Sequence, residues 1–109
     1  MNVAVVGSRS IKSINFGEIG LSAGDIVITG GAVGVDTVAE RLSVAAGYEV
    51  IRIVPDYWQY GRAATHIRNR QIVDAADRVV VFWDGVSKGS KSVIDYGLKH
   101  GKEVKVIRA

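Results

Sequence analysis

The sequence predicts an α/β fold: a Rossmann-like three-layer sandwich whose five-stranded parallel sheet has the order 3-2-1-4-5 and carries helices on both faces. Three observations predict it. Five short β-branched runs recur along the chain, and helix-like segments alternate with them. The runs are also nearly continuous in apolar residues, the pattern of strands covered on both faces. Right-handed crossovers then put strands one and four side by side at the switch point.

The first run is Val3 to Val6, followed by a short, weak helical segment from Ile14 to Leu21. Ile26 to Thr29 is the second strand, and the helix after it spans Asp36 to Ala46. Val38, Leu42, Ala45 and Ala46 recur there at helical spacing and are expected to face the sheet, with Glu40 and Arg41 opposite. Gly47 stands where a left-handed helix cap is wanted. Val50 to Val54 forms the third strand. Pro55 to Arg62 reads as an ordered irregular loop, since Tyr57, Trp58 and Tyr60 are unlike the residues of a flexible spacer. A helix follows from about Thr65 to Ala76, then a strand from Arg78 to Trp83 and a helix from Ser90 to His100 closed by Gly101. Val104 to Ile107 is the last strand.

At 109 residues the chain is expected to form one domain, residues 1–109, large enough to hold a core without metal or disulfide staples. Zero Cys excludes disulfides, thiolate metal sites and a cysteine nucleophile. No metal or cofactor is expected. The longest apolar runs, such as Val79 to Trp83, are far below the roughly 20 residues of a membrane helix, so no membrane association is expected. Met1-Asn2 leads directly into a strand with no basic leader, which predicts a cytoplasmic protein. The formal charge of +3 suits an anionic ligand without selecting one.

In an open parallel sheet the ligand lies beyond the carboxyl ends of the strands. The residues there are biased in one direction. Gly7-Ser8-Arg9-Ser10 follows strand one, Gly30-Gly31-Ala32-Val33-Gly34-Val35-Asp36 follows strand two, and Asp84-Gly85-Val86-Ser87-Lys88-Gly89-Ser90-Lys91 follows strand four. Glycine turns let backbone N–H groups approach a phosphate, and the helices behind them add unpaired N–H groups. Gly also serves merely to reverse a chain, but three such turns on one edge favour a phosphate-bearing ligand. Neither the G-x-G-x-x-G fingerprint nor a P-loop lysine is present. Asp36 either caps its own helix or holds a ribose hydroxyl.

Arg62 to Arg70 holds three Arg and one His without an acid. Cations at the start of a helix oppose its dipole, and a bound anion would offset that cost. Arg68 and Asn69 are therefore candidate phosphate ligands; the competing reading is a solvated basic face, in either case with folding little affected by loss of Arg68. His66 reads as a surface residue. Trp58 is the candidate for stacking on a base, whereas Trp83 ends a strand and reads as core.

Val6-Gly7-Ser8-Arg9, Thr29-Gly30-Gly31-Ala32-x-Gly34-x-Asp36, Trp58-x-Tyr60-Gly61-Arg62, Arg68-Asn69-Arg70 and Phe82-Trp83-Asp84-Gly85-x-Ser87-x-Gly89-Ser90-Lys91 stand in this order across nearly the whole chain. Together they resemble the small stand-alone proteins of the SLOG superfamily, which is related to the DNA-processing protein DprA/Smf and to the LOG phosphoribohydrolases. The resemblance implies a Rossmann-like domain with a pocket for a nucleotide or nucleotide derivative of the NAD or ADP-ribose class, lined by Gly7 to Arg9, Gly30 to Asp36, Arg68, Asn69 and Gly85 to Lys91. It also brings the expectation of a homo-oligomer, for which no apolar stripe in the sequence argues. LOG hydrolases carry a Glu on the helix after the last glycine turn; here that position is Val93, with Asp95 two residues further on.

Three functions follow from these residues. The first is a sensor or sequestering module that binds a nucleotide derivative. The second is an N-glycosidic hydrolase in which Asp95 or Asp36 replaces the missing Glu. The third is single-stranded DNA binding of the DprA kind. The absent Glu favours binding over hydrolysis, because an oxocarbenium-like transition state calls for a placed carboxylate and Val93 has none.

Overall fold

Val3 and Val5 turn to one face of the sheet while Ala4 and Val6 turn to the other, and all four are buried, so the first strand alone defines two cores. The computed structural model describes residues 1–109. Its strands are β1 (Asn2–Gly7), β2 (Ile26–Thr29), β3 (Glu49–Arg52), β4 (Arg78–Trp83) and β5 (Glu103–Arg108). They form one parallel sheet in the order β3-β2-β1-β4-β5, as the sequence predicts. β1 is central and pairs with β2 and with β4, the latter in a register from Val3↔Arg78 to Gly7↔Phe82.

On one face, Ala4, Val6, Ile28, Val79 and Val81 pack under α3 (Ala64–Ala75) and α4 (Lys88–Lys99), which contribute Ile72, Val73, Val93 and Ile94. On the other, Val3, Val5, Val27, Val80 and Phe82 meet Val35 and Ala39 of α1 (Val35–Ala45), with Ile11 and Ile19 from the segment after β1. The edge strands are different. β5 leaves Glu103, Lys105 and Arg108 exposed, and lysine on an edge discourages pairing with another sheet. No helix is long and apolar enough to cross a membrane.

Several boundaries depart from the sequence reading, each for a local reason. Pro55 to Arg62 is not irregular: Asp56 accepts the Gln59 N–H (3.0 Å) and starts a short helix, α2 (Tyr57–Tyr60), which runs into a 3-10 turn at Gly61–Ala63. The weak helix shrinks to a 3-10 turn, Phe16–Ile19, started by Asn15 and stopped by Gly20 at φ 71°. The third strand begins and ends earlier than Val50 to Val54. In α1 the buried stripe is Val35, Asp36, Ala39 and Ser43 rather than Val38, Leu42, Ala45 and Ala46, because Val38 and Leu42 only flank it and the last two are exposed. The helix turns a carboxylate and a hydroxyl inward, which hydrophobicity alone does not foresee.

Candidate functional site

β1 ends on Gly7 because nothing larger fits: a Cβ there would stand 2.6 Å from the Phe82 carbonyl oxygen and 2.6 Å from Val35 Cγ2. This close approach brings the β1 turn against the β4 turn and the start of α1. Buried Ser8 then joins two of them, since its Oγ lies 3.2 Å from Ser90 Oγ and accepts the Asp84 N–H at 3.2 Å. Gly34, at φ 94°, lets the loop before α1 pass over Arg9, where a Cβ would sit 3.0 Å from the Arg9 Cα.

These turns surround a cavity of about 340 Å³ at the carboxyl edge of the sheet. Gly7, Arg9 and Ser10 border it after β1, Ala32 and Asp36 after β2, and Asp84, Ser87, Gly89 and Ser90 after β4. Thr65, Arg68 and Asn69 of α3 form the remaining wall. The first amides of α4, those of Lys88 and Gly89, have no acceptor within the helix.

Arg68 and Asp36 are both buried in that wall, and both grip Gly30. Arg68 Nη1 donates to the Gly30 carbonyl oxygen at 2.7 Å, and the Gly30 N–H donates to Asp36 Oδ2 at 3.1 Å. Burial pushes the Asp36 carboxyl above its ordinary value, against the pull of the Gly30 amide and the Arg68 charge. Arg68 Nε also donates to Asn69 Oδ1 at 2.9 Å. Asp84 is the opposite case. The amides of Val86 and Ser87 (2.9 and 2.8 Å) and the Ser10 hydroxyl (2.8 Å) hold its carboxylate and lower it to about 2. Its work is to close the turn and tie it to the β1 loop.

The cavity brings together Gly7, Arg9, Asp36, Arg68, Asn69, Asp84, Ser87, Gly89 and Ser90 of the residues expected from sequence. Several residues stand otherwise than expected. The Gly30 amide is occupied by Asp36, so this turn cradles its own carboxylate rather than an open anion site, and Asp36 neither caps its own helix nor stands free. Gly31 lies under the Arg52 side chain, which is paired with Glu40. Arg68 is not on a solvated face: it is 5% exposed and donates to the Gly30 carbonyl, so its loss is expected to affect folding as well as binding. Trp58 is fully exposed on α2, outside the cavity lining, and Lys91 pairs with Asp95 at 3.1 Å, also outside it. Gly85, at φ 88°, lies under Arg108, whose guanidinium stacks 5.6 Å from the Trp83 ring centre.

Ser10 and Ala32 belong to the turns expected at this edge and Val93 to the position of the hydrolase Glu; sequence reasoning missed Val6 and Thr65. Thr65 was recoverable, because it stands one helical turn before Asn69 and shares its face. No group of three or more His, Asp or Glu side chains is arranged to hold a metal. No family model, curated protein or solved structure matches this chain.

Proposed function

We propose that this protein binds a nucleotide or nucleotide derivative of the NAD or ADP-ribose class at the carboxyl edge of the sheet, as a sensor or sequestering module. The observation that carries this reading is the buried Arg68–Gly30–Asp36 bridge at the wall of the cavity. Charged side chains are rarely fully buried, and here a cation and a carboxylate held on the two sides of the Gly30 peptide unit both line the cavity. The cation and the α4 amides suit phosphate oxygens, while the carboxylate suits ribose hydroxyls. Arg9 and Asn69 supply further donors at the rim.

The hydrolase reading narrows to one residue. Val93 lines the cavity where the resembled hydrolases carry their Glu, and Asp95 faces away in its pair with Lys91. Asp84 is held by three donors and stays ionised. Only Asp36 has a raised carboxyl, but its Oδ2 is already engaged by the Gly30 amide. Binding without rapid turnover is therefore the better reading.

A thermal-shift screen with AMP, NAD, ADP-ribose, cyclic ADP-ribose isomers and oligonucleotides tests it. A true ligand stabilises the fold by about 2.7 kcal/mol at a hundredfold excess over Kd. Stabilisation by a nucleotide with no free base on chromatography supports the reading. Base release abolished by Asp36→Asn replaces it with hydrolysis, and a response to oligonucleotides alone, lost steeply with salt, replaces it with nucleic-acid binding.

A further inference from the structure

Lys91, which the cavity leaves out, belongs to a second recess. A groove of about 400 Å³ runs between α3 and α4, and Arg70, Lys88, Lys91 and Lys99 line it together with His66, Tyr96 and a single carboxylate, Asp95. With His66 neutral, four cations and one acid leave the groove at +3, and the whole chain carries a formal +3. The rest of the molecule is thus electrically balanced, and the excess positive charge of the protein lies in one concave strip. A potential concentrated this way selects multiply charged anions over singly charged ones.

The groove and the cavity share their walls. On α3, Thr65 and Asn69 border the cavity while the next residues, His66 and Arg70, border the groove; on α4, Gly89 and Ser90 alternate in the same way with Lys88 and Lys91. Neighbours on a helix are about 100° apart, so the two recesses occupy adjoining faces. Arg70 stacks 5.4 Å over the Tyr96 ring, whose hydroxyl donates to Asp74 at 2.9 Å, and this fixes the α3 side of the groove.

We propose that the groove is a second anion subsite for the ligand of the cavity, and that this ligand is a nucleotide derivative with two or more phosphate groups, one at the cavity and the next beside Lys88 and Lys91. The proposal rests on the nucleotide reading above. Asp95 competes with that phosphate for Lys91, which makes the carboxylate a built-in attenuator.

Inorganic tripolyphosphate and orthophosphate, titrated by calorimetry into the wild type, into K88A/K91A and into D95N, isolate the groove from any choice of base. The expected results are tripolyphosphate binding at least about tenfold tighter than orthophosphate, loss of about tenfold in K88A/K91A, and a gain of a few-fold in D95N. AMP, which has a single phosphate, should bind K91A as it binds the wild type, since Lys91 lies outside the cavity. Equal affinity for the two phosphates, or tripolyphosphate binding that neither variant changes, overturns the subsite and leaves the nucleotide reading standing. Tripolyphosphate binding together with no response to any nucleotide overturns both.

Discussion

Arg68 and Asp36, from helices on opposite faces of the sheet, meet at a single backbone unit: the guanidinium binds the carbonyl of Gly30 and the carboxylate binds its amide. Gly30 itself must lack a side chain, since a Cβ would stand 2.7 Å from Arg68 Nη1 and 3.0 Å from Asp36 Oδ2. The three residues clamp the end of β2, and two of them, Arg68 and Asp36, at the same time line the cavity. Structure and site therefore rest on the same atoms.

Arg68→Ala should cost about 3 kcal/mol of stability, because it strips the Gly30 carbonyl of its donor and leaves Asp36 buried without its nearest cation. Urea denaturation measures this directly. Arg68→Lys keeps the charge but loses the paired geometry, and should fall between the two. A stability within about 0.5 kcal/mol of wild type for Arg68→Ala would mean that the bridge is dispensable.

Gly7→Ala should destabilise by about 1–3 kcal/mol, as the added methyl meets the Phe82 carbonyl and Val35 and must push β1 from β4 or from α1. Thermal unfolding reads the loss. Gly89→Ala is the control without the clash, since Gly89, like Gly7, has no positive φ but has open space around it.

Asp84 and Asp36 should leave opposite marks on the pH dependence of stability. The Asp84 carboxyl is lower in the fold than in the unfolded chain, so its stabilisation is complete above about pH 4 and is lost as pH falls toward 2. Asp36 is raised in the fold, so its ionisation withdraws stability as pH rises above its unfolded value near 3.8. Denaturant midpoints across pH 2 to 7, compared in Asp84→Asn and Asp36→Asn, should show the acid-side loss reduced in the first and the rising-pH penalty removed in the second.

Trp58→Ala should leave nucleotide affinity within about twofold of wild type, because the side chain is fully exposed and outside the cavity. Calorimetry checks it. A loss of tenfold or more would show that α2 closes over the ligand.

The fold was legible because the central strands write their burial directly: Val3 to Val6 and Val79 to Phe82 are apolar on both faces, and parallel topology then dictates which turns share an edge. The edge to search, and seven of the cavity residues, followed from that, while Arg68 and Asn69 came from the acid-free basic run Arg62 to Arg70. What sequence does not carry is which partner claims a polar group. Asp36 could not be told from a helix cap, because its acceptor role depends on an amide brought close by the turn at Gly30. Arg68 resembled a surface cation since a helical pattern does not reveal that β2 ends beneath it. Lys91 followed the glycine turn in sequence, yet the helix rotates it out of the cavity and into the neighbouring groove.

The most direct measurement of the central claim is an amide NMR titration of the wild type with ADP-ribose and with AMP. Shifts are expected at Gly7 to Ser10, at Asn69 and at Ser87 to Ser90, saturating together with a single Kd. The far edge of the sheet, around Gly24 and Tyr48, should stay silent although it holds a recess of its own. Shifts confined to that far edge, or none with either nucleotide, would contradict the assignment of the carboxyl-edge cavity as a nucleotide site.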